Sequence, residues 1–246
     1  MFGYGVDKRV IYILLAILVV YSLFSMTSEQ WLSILLTLPA VIIAITFHEF
    51  AHANAADKLG DTTPRNQGRL TLNPLAHLDP FGFILLMFAH IGWGKPVQIN
   101  PNNFNSNKSR GFCEAMVALA GPFMNFFIAI VASIIYVVIV KVNPVFFGHG
   151  NISYIIYVFL TMLITVNIGL GVFNLVPLPP LDGEKIFRNV LPYKAQDWLD
   201  RNYPTLYMIF MILWIFGFLE IIVAPVINLV TKGMMYVSSF IVGLFI

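Results

Sequence analysis

Two things are scarce in this 246-residue chain: cysteine and charge. Cys113 is its one cysteine, which rules out an internal disulfide and any thiolate cluster, so a metal held here is held by nitrogen and oxygen. Charged residues make up 11% of the chain, against about a quarter in soluble domains, while 59% of residues are hydrophobic. Mean hydropathy is +0.82. That balance excludes an ordinary soluble domain and describes a polytopic membrane protein. The formal net charge is only +2 and the basic residues are scattered, so no nucleic-acid surface is indicated. No internal repeat is visible, which argues against a transporter built from two matching halves.

What is present is a set of apolar runs of membrane length. Val10 to Met26 is the first, and its bulky exit, Tyr21-Ser22-Leu23-Phe24-Ser25-Met26, lacks a small-x-small cleavage site, so it reads as a retained span over 10–26. Thr27 has the form of an N-cap, with Gln30 three residues on, and a second helix starts there. Trp31 suits a membrane interface. Spans three and four are expected over about 113–140 and 152–173, and two more over 205–222 and 226–246. Between the second and third lies the most polar region, 57–110. Gln67 to Asn73 alternates like a short strand, and Pro80 to Ile91 is apolar but too short to cross. The expectation is an all-α polytopic membrane protein of about six transmembrane helices, with a small strand and re-entrant region between helices 2 and 3. A strand edge at Leu70, Thr71 and Leu72 could pair with an extended substrate.

The second helix carries the chemistry. His48 and His52 are four residues apart and so share one helix face, where their imidazoles can converge on one ion. Glu49 sits beside that face, placed to take a proton from metal-bound water. A chance His-Glu-x-x-His in a chain of this composition has a probability on the order of 10⁻³. Here it ends an uncharged run from Leu32 to Phe47, where ionisable groups persist mainly when they coordinate, pair or line a wet cavity. Zinc bound by two imidazoles needs a third protein ligand and keeps a position open for water. Of the twelve acidic residues, Asp182 stands at the mouth of span four, on a turn stiffened by Pro177, Pro179 and Pro180. Asp182 is taken as that ligand, the bland alternative being a cap on the following helix. His77 and His90 are competing ligand candidates, and Asn125 is either packing or directed at the site.

Orientation follows from the cations. With the N-terminus inside, Lys8, Arg9, Lys58, Arg65, Arg69, Lys95, Lys108, Arg110, Lys185, Arg188, Lys194 and Arg201 are all cytosolic, leaving only Lys141 and Lys232 elsewhere. The N-terminus and the active-site side then face the cytosol, most naturally in a bacterial or archaeal cell membrane.

His48-Glu49-Phe50-Ala51-His52 together with Asn174-x-x-Pro177-x-x-x-x-Asp182-Gly183 resembles the site-2 protease family, intramembrane zinc metalloproteases of peptidase family M50. The segments Gly68 to Pro74, Gly92 to Val97 and Ala120-Gly121-Pro122-x-x-Asn125 are similar to that family as well. The resemblance implies one Zn2+ per chain on His48, His52 and Asp182, Glu49 as catalytic base, and Asn174 holding substrate or the developing oxyanion. It implies a zinc-dependent endopeptidase that hydrolyses peptide bonds in or near transmembrane segments, with membrane-protein substrates, the bilayer and an adaptor protein as candidate partners. Neither a PDZ nor a CBS domain fits in the chain, so 1–246 is expected to be a single minimal protease domain with its catalytic core at about 31–183. A metal-handling membrane protein and a non-catalytic scaffold are the alternatives.

Overall fold

In the computed structural model, the described residues are 27–89, 94–105, 107–148 and 150–246, with 17, 20, 21, 24 and 25 before them. The first expected span, 10–26, therefore falls almost wholly outside the described residues, and so does His90.

Eight α-helices are described: α1 (Ser28–Lys58), α2 (Thr63–Asn66), α3 (Pro80–Ala89), α4 (Arg110–Val142), α5 (Asn151–Asn174), α6 (Asp182–Val190), α7 (Tyr193–Ile215) and α8 (Phe218–Gly243). Helix α1 follows Thr27 directly and runs through Pro39. At 31 residues it is roughly 46 Å long, more than a bilayer core. Among the described residues, four helices are long and apolar enough to cross a membrane: α1, α4, α5 and α8.

Helices α1, α4 and α5 pack mutually, α8 lies against α4 and α5, and α6 lies against α4. Small residues make this closeness achievable in a lipid setting. Ala40, Ala44, Ala51, Ala53 and Ala56 of α1 and Ala118, Ala129 and Ala132 of α4 are buried. Gly171 of α5 lets the Phe126 ring of α4 approach to where a Cβ would lie 3.0 Å from it. Larger apolar residues fill the layer toward α8: Leu160, Ile164, Ile168 and Val172 of α5 cluster with Val223. A second cluster, Leu181, Phe210 and Leu219, ties the end of the α5–α6 connection to α7 and α8.

Two expectations need correction. No strand forms among the described residues, and 67–73 is a turn followed by bends. Gly68 adopts φ +67°, Asn73 caps the 3-10 turn Pro74–Ala76, and the carbonyl of Thr71 is taken by the His77 ring. The Thr71 carbonyl is thus committed locally, and Leu70, Thr71 and Leu72 lie in bends and coil rather than in a strand. The one bridge described is Leu78 with Gly94. The apolar piece after it is the ten-residue helix α3. The second correction concerns the last spans. The break expected between 222 and 226 lies at Gly217, whose φ of +74° a left-handed turn requires, and Pro225 sits inside α8. Helix α7 starts in the polar stretch at Tyr193 rather than at 205 and ends at Ile215.

Candidate metal centre

His48 and His52 face each other from successive turns of α1, rings edge to face with centroids 4.6 Å apart. Their Nε2 atoms are 3.0 Å apart. Asp182, the first residue of α6, brings Oδ2 to 3.2 Å from His48 Nε2 and 3.1 Å from His52 Nε2. No other such group of potential metal ligands occurs among the described residues. The three residues come from segments 130 positions apart in the chain and meet because α6 packs against α4, which itself packs against α1.

Protonation makes this triangle informative. His52 Nδ1 is 2.7 Å from the carbonyl oxygen of Val117, an atom that can only accept, so Nδ1 carries the proton. His48 Nδ1 is 2.7 Å from Asn125 Oδ1, and the amide nitrogen of Asn125 is occupied by donating to Ala44 O, so Nδ1 of His48 is a donor too. In the neutral rings both Nε2 atoms therefore present lone pairs. With both rings neutral, three acceptor atoms converge, and Asp182 Oδ2 is buried without a hydrogen-bond donor. A metal cation bound between them satisfies all three at once. Tetrahedral zinc, with bonds of about 2.0–2.2 Å to nitrogen and oxygen, holds its ligand atoms about 3.3 Å apart, close to the separations observed. The donor set, two imidazoles and one carboxylate with no thiolate, fits zinc.

Two glycines make room. A Cβ on Gly121 would lie 2.4 Å from His52 Nε2 and 2.6 Å from His48 Cε1. A Cβ on Gly183 would lie 2.4 Å from the carbonyl oxygens of both Leu175 and Val176, so the chain after Asp182 can turn into α6 only with glycine there.

Glu49 is half-buried beside the triangle, and its Oε2 accepts a hydrogen bond of 2.9 Å from the backbone N–H of Val97. The loop carrying Val97 is fastened at several points. Buried Arg69 donates from Nη2 to Lys95 O and Pro96 O, at 3.0 and 2.9 Å. Lys95 N donates to His77 O, and Asn100 N to Asp61 Oδ2. Asn103 reaches Asp61 as well. The carboxyl of Asp61 is pushed up by burial but pulled lower overall by its hydrogen bonds from Thr63, Asn100 and Asn103. Arg69, Asp61 and Val97 escape a reading of the sequence because their roles come from backbone contacts made across the fold. The signal available for Arg69 was a single charge inside a half-apolar stretch.

His48, Glu49, His52, Asp182 and Asn174 all line one cleft of about 1670 Å³. Asn174 closes α5 and donates its side-chain N–H to Leu170 O at 3.0 Å. The cleft continues along α1 past Ile45, Val41 and Thr37 and is bounded on the other side by α8 at Leu219 and Val223. His77 stands apart, fully buried, with Nε2 bonded to Thr71 O. Asn125 is directed at the site.

The comparisons with known proteins agree with this geometry. The family model described as peptidase family M50 matches residues 36–218. A putative zinc metalloprotease of Bacillus subtilis, YwhC, is 34% identical over 188 residues, 76% of this chain and 84% of that protein. The putative zinc metalloprotease MJ0611 of Methanocaldococcus jannaschii is 27% identical over 210 residues, 85% of this chain and 96% of its own length. Rip2 of Mycolicibacterium smegmatis, also described as a putative zinc metalloprotease, is 28% identical over 155 residues, 61% of this chain and 54% of its own. No solved structure matches significantly. The matched region encloses all three converging donors and four helices of membrane-spanning character reach into or beyond it: the chain belongs to peptidase family M50, as a membrane metalloprotease.

Proposed function

We propose that the chain is a zinc-dependent intramembrane endopeptidase that hydrolyses peptide bonds in or near transmembrane segments of membrane-protein substrates. In this reading His48, His52 and Asp182 hold the zinc, Glu49 is the general base and Asn174 binds the substrate backbone or the oxyanion. One observation carries it: three potential ligand atoms 3.0 to 3.2 Å apart, at the end of an apolar helix, with a carboxylate on the adjacent residue.

Bound zinc supplies an acidified water and polarises the scissile carbonyl. The protein residues do the rest. The Glu49 carboxylate, with Oε2 already held by Val97 N–H, keeps Oε1 available to accept a proton from the attacking water and pass it to the leaving nitrogen. Asn174, at the cleft wall, presents a side-chain oxygen and a second amide hydrogen to an extended peptide. A transmembrane helix hides its carbonyls in i to i+4 bonds, so a substrate must unwind locally to be cut. The wall of the cleft formed by α1 and α8 gives an apolar flank along which such a segment can lie, the two helices being of membrane-spanning character. Residues 1–246 then form a single protease domain with its core at about 31–183, and the N-terminus and the site face the cytosol, in keeping with the distribution of Lys and Arg.

The test is Glu49→Gln. The variant keeps its zinc and loses cleavage of a co-expressed membrane substrate. A variant that still cleaves assigns the base elsewhere.

A further inference from the structure

Behind His48 lies a chain of side-chain amides whose direction the backbone dictates. Asn167 of α5 is fully buried and donates Nδ2–H to Leu163 O at 2.8 Å, in its own helix. A carbonyl oxygen can only accept, so this bond fixes which end of the Asn167 amide is nitrogen, and its Oδ1 must face the other way. That oxygen accepts from Asn125 Nδ2 at 2.9 Å. The same Asn125 nitrogen donates to Ala44 O at 3.1 Å, so both of its hydrogens are used. Asn125 is also fully buried, and its remaining atom, Oδ1, meets His48 Nδ1 at 2.7 Å.

We propose that Asn167 is a positioning residue for the metal centre: acting through Asn125, it holds His48 in the tautomer whose Nε2 lone pair faces Asp182 and His52. The inference rests on the metal-site reading above. The polarity runs one way, from Leu163 O through Asn167 and Asn125 to the imidazole. If Asn167 loses its oxygen, Ala44 O alone orients the Asn125 amide, and the orientation that turns its NH₂ toward His48 loses one of the two bonds that oppose it. In that orientation His48 accepts at Nδ1 and carries its proton at Nε2, the atom that has to bind the ion. Neutral imidazole has one N–H, and the group behind the ring decides which nitrogen bears it. The arrangement spans three helices, α1, α4 and α5, so the packing that forms the core also sets the ligand's protonation. Asn167 lies outside every sequence segment that marks the metal ligands or the base.

The experiment measures zinc affinity of the detergent-purified full chain by competition with a chromogenic chelator, alongside the thermal midpoint of the metal-stripped protein. Asn167→Leu, of similar size, is expected to weaken zinc binding about 10- to 100-fold, the range for loss of groups that orient a metal-binding histidine. Its metal-stripped form still unfolds cooperatively, with a midpoint lowered only by the one Asn125 N–H left unpaired. Asn167→Asp, as the neutral acid, reproduces both the donor toward Leu163 and the acceptor toward Asn125, and is expected to restore affinity. Should Asn167→Leu not fold, Asn167→Ala takes its place. Wild-type affinity in the Leu or Ala variant, or an Asp variant as weak as either, overturns the proposal. His48→Ala separates the two levels: if it leaves zinc affinity unchanged, the metal-site reading itself has failed.

Discussion

Gly121 of α4 stands where a single added methyl group would occupy the space of the His52 Nε2 atom, 2.4 Å away. Neither ring can retreat easily, since Val117 O and Asn125 hold the opposite edges of His52 and His48. Gly121→Ala is therefore expected to reduce zinc affinity by at least about tenfold, by forcing the ligands apart rather than by removing one. Elemental analysis after dialysis against a chelator reads this directly, and undiminished zinc retention would show that the helices can separate at no cost to the site.

Gly183 makes the matching prediction on the carboxylate side. Its neighbours are backbone carbonyls of Leu175 and Val176, which cannot rotate away, so Gly183→Ala must shift the Pro-rich turn and with it Asp182. Overpacking of this kind costs about 1–3 kcal/mol. A lowered thermal midpoint together with lowered zinc content is the expected result; a lowered midpoint with full zinc would mean that Asp182 is positioned independently of the turn.

Arg69 governs the loop above Glu49. Arg69→Ala leaves the carbonyls of Lys95 and Pro96 without their guanidinium donor, an omission worth about 1–3 kcal/mol for buried groups, and frees the segment whose Val97 N–H holds the base. Hydrogen exchange across 94–100 should rise and kcat should fall, with zinc content unchanged. A variant with a wild-type exchange pattern would place the fastening elsewhere.

Asp61 gives that loop a pH dependence. Its carboxyl lies lower in the folded state than in the unfolded chain, because Thr63, Asn100 and Asn103 hydrogen bonds outweigh burial. The contribution is thus complete above the unfolded value of about 3.9 and disappears as pH falls through the folded one. Limited proteolysis near 94–105 should be slow at neutral pH and accelerate only under strongly acid conditions. In Asp61→Asn cleavage should be faster at neutral pH and change less on acidification.

What the sequence discloses follows the range of the forces involved. The His48-Glu49-x-x-His52 face was legible because helical spacing is a local property, and Asp182 because a run of prolines fixes backbone direction within a few residues. The strand expected at 67–73 failed for the opposite reason: alternation shows that a segment could be half-buried, but a strand also needs a partner, and Asn73, His77 and Gly68 commit its backbone to turns. The last two helices divide at Gly217 rather than between 222 and 226, because apolar runs report hydropathy and not backbone conformation: α8 carries Pro225 within it and the left-handed Gly217 makes the turn. Asn167, Arg69 and Val97 had no local signature at all; each acts through a partner tens of residues away.

The central claim, that His48, His52 and Asp182 share one zinc ion, is tested most directly by zinc stoichiometry in the purified wild-type, Glu49→Gln and Asp182→Ala proteins. The account predicts one zinc per chain in the first two and its loss from the third. A wild-type chain that binds no zinc, or an Asp182→Ala chain that retains its full complement, would contradict it.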